Sequence, residues 1–194
     1  VAIDGYGLQR LDLASGQRID FQVDSAVPGS LPDSAISALM IDRSGQLWVG
    51  TRTRGVALTD TAGAPFRLLR RSSQKDTRTN AAGNSVRALC TQGETLWIGT
   101  EAGGLYRRDS ETDALSRETA FDFAELIGLK TLPSGPPLRI NALACNSGGE
   151  LIVASSRGAF ALNMAAVNPK AQELAGAARL TVNAPVLRVT PLLS

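Results

Sequence analysis

Two nearly identical pentapeptides contain both tryptophans of this 194-residue chain. They are "LWVGT" at residues 47–51 and "LWIGT" at residues 96–100, so that Trp48 and Trp97 lie 49 positions apart. A fixed repeat of about 20–50 residues indicates a chain built from stacked copies of one structural unit. This spacing therefore constrains the fold more than any other feature.

The similarity extends well beyond the tryptophans. "AISALMIDRSGQLWVGTRTRGVALTD" (35–60) aligns with "SVRALCTQGETLWIGTEAGGLYRRD" (85–109) and with "RINALACNSGGELIVASSRGAFALN" (139–163), in which Ile152 replaces tryptophan. Both ends of the chain fit the same frame, since residues 1–12 align with 49–60 and residues 189–194 align with 36–41. Every part of the chain therefore has a position in the repeat.

Each copy divides into strand-length pieces. "AISALMI" and "LWVGT" are rich in branched and aromatic residues, and "DRSG" between them predicts a type I turn and a hairpin. A third strand is expected to enter through a glycine in "GVALTD", "GLYRRD" and "GAFALN", and a fourth follows in "QRIDFQV", "FRLLRR" and "ALSRETAF". The Ala-rich residues 164–178 contain a proline and a glycine and are interpreted as a loop that can hold a helical turn.

The pattern predicts an all-β fold, a β-propeller of four-stranded antiparallel blades. The leading apolar residue of each copy is Ile36, Val86, Ile140 or Val189, which gives periods of 50, 54 and 49 residues. The chain then holds about four blade equivalents. They are a partial blade at 1–35, blades at 36–85, 86–139 and 140–188, and the start of a further blade at 189–194.

Composition excludes several functions. The formal net charge of +2 is too small to favour nucleic acid or an anionic membrane as partner, and no apolar run is long enough to span a bilayer. The chain has no histidine, so a Ser-His-Asp or Cys-His site cannot be built from it. It also lacks the commonest nitrogen ligand of zinc and copper. We expect no catalytic residues, no metal site and no cofactor.

Cys90 and Cys145 are the two cysteines of the chain. They are too few for a disulfide framework and too distant in sequence for a CxxC motif. We expect two buried free thiols, because free cysteine is among the most buried residue types. A disulfide is conceivable in an oxidising compartment, but adjacent inner strands are expected to hold the two residues too far apart.

The motif "ISALMIDRSGQLWVGT...GVALTD" resembles the two-component regulator propeller repeat, and "SAVPGSLPDSAI" (25–36) resembles the connector that precedes it. The resemblance implies a sensor region of hybrid histidine kinases, diguanylate cyclases and related bacterial signalling proteins. In that family the propeller is often seven-bladed and extracytoplasmic, which here implies a periplasmic location. It is followed by a membrane span and an output domain.

Four blade equivalents raise the question of closure. A lone arc would expose sheet faces and edges, so we expect this chain to be part of a larger propeller. A closed four-bladed ring and a dimer of two half-rings are the alternatives, and self-association is expected where faces stay open.

A ring of polar side chains is the candidate binding site. The first strand of each blade is expected to line the central channel of the propeller. The residues directly after the four leading apolar residues are Ser37, Arg87, Asn141 and Thr190, which would form a ring near one mouth of this channel. The segments that lead into the same mouth contain Arg78 and Arg139. They either line a wet channel or bind a small polar or anionic ligand or a saccharide. The tryptophans, in contrast, are expected to pack between blades rather than to stack on sugars.

The sequence thus favours a non-catalytic sensor or ligand-binding propeller. A propeller enzyme, such as a lyase or glycosidase, and a protein-interaction scaffold are the alternatives. The absence of histidine weakens the lyase, and no pair of carboxylates recurs at the mouth to support glycoside hydrolysis.

Overall fold

The computed structural model describes most of the first 163 residues. The described residues are 1–3, 5–61, 65–69, 84–108, 113, 115–117, 138–146, 148–156, 158–163 and 171–173. All regular secondary structure within these ranges is β-strand, which confirms the all-β prediction.

The strands form four sheets, which we call blades 1 to 4. Blade 1 contains β1 (Ala2–Ile3), β2 (Gly7–Leu11) and β3 (Arg18–Phe21). Blade 2 contains β4 (Ile36–Ile41), β5 (Gln46–Thr51), β6 (Val56–Asp60) and β7 (Arg67–Leu69). Blade 3 contains β8 (Val86–Gln92), β9 (Thr95–Thr100), β10 (Leu105–Arg108) and β11 (Leu115–Arg117). Blade 4 contains β12 (Ile140–Cys145), β13 (Glu150–Ser155), β14 (Gly158–Asn163) and β15 (Ala171–Glu173).

Every sheet is an antiparallel meander in which each strand pairs with the next along the chain. The tryptophan strand is second in blades 2 and 3, so the repeated pentapeptides occupy one position of one unit. Blade 1 begins at the equivalent of that strand and has three strands among the described residues. The exact boundaries between the predicted blade segments stay predictions, and residues 189–194 lie outside the described ranges.

The turn between the first two strands depends on its first residue. In blade 2 the amide of Gly45 donates to the carbonyl of Asp42 at 3.1 Å, as the type I turn requires, and Gly45 has a φ of 83°. The Asp42 Oδ1 also accepts from the amides of Ser44 and Gln46 at 2.9 and 3.0 Å. In blade 4 the Asn146 Oδ1 accepts from the amide of Glu150 at 2.9 Å, so a side-chain amide takes the place of the Asp42 carboxylate.

The third strand enters through a left-handed glycine in the three complete blades, as predicted. Gly55, Gly104 and Gly158 have φ values of 90°, 83° and 130°. In blade 2 the buried hydroxyl of Thr51 donates to the carbonyl of Gly55 at 2.9 Å, and Thr100 repeats this bond with Gly104 at 2.8 Å. Threonine fits this bend because its buried hydroxyl is satisfied on both sides: it donates to the glycine carbonyl and accepts from a backbone amide at 3.0 Å, that of Arg54 in blade 2 and that of Gly103 in blade 3.

Three hydrophobic clusters lie between successive blades and form the core. The tryptophans lie in two of them, with Trp48 between blades 2 and 3 and Trp97 between blades 3 and 4, exposed by 1% and 2%. Their predicted role in packing between blades is confirmed. The glycine of each pentapeptide allows close approach, since a Cβ on Gly50 would lie 2.6 Å from Val86 Cγ1 and one on Gly99 would lie 2.5 Å from Ile140 Cγ2.

The expectation of free thiols is wrong, because Cys90 and Cys145 form a disulfide between β8 and β12. Their Cα atoms are 6.0 Å apart, within the range that a disulfide spans. The inner strands of neighbouring blades lie closer together than expected. In the structure a stagger of one position along the repeat brings the two side chains together across the 3–4 interface.

The loop interpretation of residues 164–178 is wrong at Ala171–Glu173, which form β15. This strand pairs with β14 in an antiparallel register, with Phe160 opposite Glu173. The remaining residues of that segment lie outside the described ranges. Alanine and glutamate, which begin and end this strand, have low strand propensity, and pairing with the edge of β14 overrides it.

Candidate functional site

The polar residues that follow the leading apolar positions lie on the first strands of three consecutive blades. Ser37 is on β4, Arg87 on β8 and Asn141 on β12, each at the second position of its strand. Arg139 lies just before β12. The structure therefore brings these predicted site residues to one end of the stack. Arg78 and Thr190 lie outside the described residues.

Glu101 connects two of the predicted arginines. Its Oε2 accepts from Arg87 Nη1 at 2.6 Å, and its Oε1 pairs with Arg139 Nε at 2.7 Å. All three side chains are partly exposed, so each pair alone contributes about 0–1 kcal/mol to stability. Together they form a polar cluster with one excess positive charge that crosses the interface between blades 3 and 4.

Glu101 was not among the predicted site residues. It directly follows "LWIGT", and its amide donates to the carbonyl of Ser85 at 2.8 Å, next to the start of β8. Arg52 and Ser156 have the same position in blades 2 and 4, and their amides make the equivalent bonds to Ala35 and Arg139. The alignment of the repeats could therefore have identified Glu101, since in blades 2, 3 and 4 the residue after the second strand lies next to the start of the first strand.

Ser37 contributes to the fold rather than to an open surface. Its hydroxyl contacts the carbonyls of Val86 in blade 3 and Gly50 in its own blade. Asn141 is partly buried on β12. The cluster of Glu101, Arg87 and Arg139, which we call the mouth cluster, is a partly exposed polar feature at this end.

A separate surface feature lies at the outer strands of blades 1 and 2. It is a groove of about 410 Å³ between β3 and the connector that leads to blade 2. Phe21 and Phe66 meet there edge to face, with ring centroids 5.6 Å apart, and Asp20 and Asp24 lie beside them. None of the predicted site residues lines this groove.

Among the residues that the structure describes, no three histidine, cysteine, aspartate or glutamate side chains come together as a metal site. Within the same ranges, no helix has the length and apolar character needed to cross a bilayer.

The sheet order and stacking define the class of protein, which is a β-propeller. Residues 30–53 match the family model described as "Two component regulator propeller". The chain is therefore a propeller protein that carries the two-component regulator propeller repeat, and the predicted resemblance is confirmed. No curated protein sequence matches the chain.

Solved structures with the same fold include two extracellular domains from B. thetaiotaomicron, both described as hybrid two component systems. BT4673 has 21% identity and a TM-score of 0.62, and the match covers 86% of this chain and 19% of that one. BT3049 has 18% identity and a TM-score of 0.60, with 84% and 20% covered. The Cps50 (Swd1) β-propeller domain of Myceliophteria thermophila has 18% identity and a TM-score of 0.53, with 86% and 49% covered.

These similarities support the β-propeller fold. The chain spans about a fifth of the length of the two bacterial domains that it matches.

Proposed function

We propose that this chain is part of a non-catalytic, extracytoplasmic sensor propeller of a bacterial signal-transduction protein of the hybrid two-component or diguanylate cyclase type. The observation that carries the proposal is the two-component regulator propeller repeat at 30–53, which lies in a stack of blades with the same fold as two extracellular domains of hybrid two component systems. A propeller of this kind binds a ligand and changes the arrangement of two protomers, which alters the output beyond the membrane.

The disulfide supports the location. Structural disulfides persist in oxidising compartments such as the bacterial periplasm and are rare in the cytosol. Cys90 and Cys145 join two blades at a largely buried position, where a permanent crosslink stabilises the fold. A periplasmic location therefore agrees with the chemistry of the 3–4 interface.

The location is tested by trapping thiols with a maleimide polymer in acid-quenched cells of the source bacterium. We expect no modification of Cys90 and Cys145 before reduction and modification of both after reduction. Modification of both before reduction would contradict the periplasmic assignment.

The mouth cluster is the proposed ligand site. Arg87 and Arg139 both pair with Glu101, and each guanidinium has further N–H donors beyond those that it directs at the carboxylate. Donors of both arginines and the acceptor of Glu101 then present a mixed array of the kind that matches the hydroxyl and carboxylate groups of a saccharide or a small polar acid. Asn141 lies beside Arg139 at the start of β12 and adds an amide.

A thermal-shift screen with neutral and acidic oligosaccharides and small carboxylates tests this site. We expect at least one compound to raise the Tm of the wild-type chain, and the double variant Arg87→Ala and Asn141→Ala to lose that shift. Arg18→Ala is the matched control, because Arg18 is an exposed arginine on blade 1 that pairs with Asp20 away from the mouth. Equal Tm shifts in the wild type, the double variant and the Arg18→Ala control would show that the compound does not bind at the mouth cluster.

The signalling role needs the complete protein. In the full-length reading frame, the compound found in the screen is expected to change kinase or cyclase output, and the double variant is expected to abolish that response while the Arg18→Ala variant keeps it. A compound that binds the mouth without changing output would support a ligand-binding propeller and contradict the sensor.

A further inference from the structure

The loop that follows β3 carries exposed apolar side chains on a backbone with many internal hydrogen bonds. Val27 is 53% exposed, and Pro28 beside it is exposed as well. The Ser30 hydroxyl accepts from the amide of Asp24 at 3.2 Å and donates to its carbonyl at 2.6 Å. The amide of Val27 donates to the same carbonyl at 3.2 Å. These bonds hold the apolar side chains in position, which lowers the entropy that binding would cost.

The loop is attached to the start of the outer strand of blade 2. The amide of Phe66, which directly precedes β7, donates to the carbonyl of Gly29 at 2.7 Å. Gly29 has a φ of 79°, and a Cβ there would lie 2.5 Å from the Pro65 Cβ, so the two segments are in close contact. Phe66 also meets Phe21 of β3 edge to face. The groove between blades 1 and 2 therefore has walls that are tied to both outer strands.

This groove, which we call the connector groove, combines apolar rings with negative charge. Its lining includes Phe21, Phe66, Pro28, Pro65, Asp20 and Asp24. Among the described residues no lysine or arginine lines it, although the whole chain has a net charge of +2.

Both carboxylates are accessible to a partner. Asp20 is 40% exposed and pairs with the exposed Arg18 at 3.4 Å. Asp24 Oδ1 accepts from the amide of Ala26 at 2.9 Å, and within the described ranges no lysine or arginine pairs with Asp24. The connector groove therefore favours a cationic partner over an anionic one.

We propose that the connector groove is a docking site for an extended, proline-rich segment of a second protein that carries arginine or lysine. Grooves lined by aromatic side chains bind such segments in the polyproline II conformation, which is already formed in the free segment and loses little entropy on binding. The proline rings pack against Phe21, Phe66 and the exposed Val27, and a basic side chain of the segment lies beside Asp20 or Asp24.

This occupant uses both properties of the groove. A small cation would use the carboxylates and leave the apolar side chains in water, whereas an apolar segment without charge would gain nothing from Asp20 and Asp24. The docking site lies at the outer strands of blades 1 and 2 and contains no residue of the mouth cluster.

Fluorescence anisotropy with labelled peptides and the 194-residue chain tests the occupant. The probe has an arginine at each end of a run of prolines, and two control peptides replace either the arginines by glutamates or the prolines by glycine and serine. We expect saturable binding of the probe and about tenfold weaker binding of each control. Equal binding of the probe and either control would contradict the proposal.

Variants of the chain test the place of binding. Val27→Lys introduces a positive charge into the groove and is expected to bind the probe about tenfold more weakly. Val23→Lys is the matched control, because Val23 is 48% exposed, does not line the groove and gives the same net charge. Asp24→Asn keeps the Oδ1 acceptor for Ala26 but removes the charge, and we expect about threefold weaker binding, as suits an exposed ion pair. Circular dichroism confirms that all three variants are folded.

The docking site is disproved if the probe does not bind the wild-type chain, or if Val27→Lys binds it as tightly as Val23→Lys. Analytical ultracentrifugation distinguishes a further occupant, which is a second copy of this chain. A wild-type dimer that Val27→Lys converts to a monomer, while Val23→Lys does not, would show that the second copy fills the groove and would overturn the proposal.

Discussion

The interface between blades 2 and 3 (the 2–3 interface) and that between blades 3 and 4 (the 3–4 interface) each contain a tryptophan at the same position of the repeat. Different interactions join the blades at the two interfaces. At the 2–3 interface, Trp48 Nε1 donates to Asp42 Oδ2 at 2.8 Å, and the Arg108 guanidinium of blade 3 lies 5.1 Å from the centre of the Trp48 ring. At the 3–4 interface, Trp97 Nε1 is buried and, within the described residues, has no hydrogen-bond partner. That interface has the disulfide instead.

Ion pairs at the 2–3 interface add to this difference between the two interfaces. Asp113 accepts from Arg108 Nε at 2.8 Å and also pairs with Arg67 of blade 2, so one carboxylate ties two arginines across the 2–3 interface. Asp113 has a φ of 58°, a left-handed conformation that aspartate adopts more readily than most residues. Apolar packing is therefore repeated from one interface to the next, while the polar or covalent connection differs at each interface.

The largest effect is expected from removing either tryptophan. Trp48→Ala and Trp97→Ala should each lower the free energy of unfolding by about 3–5 kcal/mol, because each leaves a large cavity between two blades. Chemical denaturation followed by circular dichroism measures both. A loss below about 1 kcal/mol at one site would show that the two interfaces do not share a packing mechanism.

Breaking the disulfide is expected to be the next largest effect. The paired substitution Cys90→Ser and Cys145→Ser should cost about 2–4 kcal/mol, since it frees a long loop in the unfolded chain. Hydrogen exchange should show lower protection in β12–β14 and little change in β4–β6. Equal loss of protection in blades 2 and 4 would contradict an effect localised to the 3–4 interface.

Trp48→Phe and Trp97→Phe test the hydrogen bond without removing the ring. Both variants shrink the side chain, but only Trp48→Phe deprives the Asp42 carboxylate of a donor. We expect Trp48→Phe to cost about 1.5–3 kcal/mol more than Trp97→Phe, as is typical of a hydrogen bond to a charged group. Equal losses in matched denaturation curves would mean that the bond contributes nothing net.

The smallest effect concerns pH. Partial burial alone would raise the pKa of Asp42, but the hydrogen bonds from Ser44, Trp48 and Gln46 outweigh it and hold that pKa below its ordinary value of 3.8. The stability contributed by the charged form is therefore present above pH 3.8 and is lost as the pH falls through the folded-state pKa.

Asp42→Asn is accordingly expected to be less stable than the wild type at pH 7 and to approach it near pH 3. Denaturation curves of both proteins at the two pH values measure this, at constant ionic strength. A difference that grows in acid would reverse the expected sign.

Much of the fold could be predicted because its determinants are local and repeated. The hairpin at Asp42–Gly45, the glycine entry at Gly55 and the alternation of β4 and β5 are readable from short segments. The strand at Ala171–Glu173 was missed because its residues have no strand propensity of their own, and only the edge of β14 selects that conformation.

The positions of the candidate site residues in the fold were predicted in part, and their role as a site stays a prediction. The phase of the repeat placed Arg87, Asn141 and Ser37 at one end of their strands, yet it could not show that Ser37 bonds to the next blade or that Glu101 holds both Arg87 and Arg139. Those contacts join residues from different copies, and their distances depend on how the blades are staggered.

What the sequence alone determined is the repeating unit: four short antiparallel strands, their turns, and a tryptophan or large apolar residue for the space between units. Periodicity suffices for this because each blade buries its faces against copies of itself. What the tertiary structure decided is every contact between side chains from different blades, above all the disulfide between Cys90 and Cys145. The physical reason is that a covalent or hydrogen-bonded contact depends on separations of a few tenths of an ångström, which only the packing of whole sheets sets.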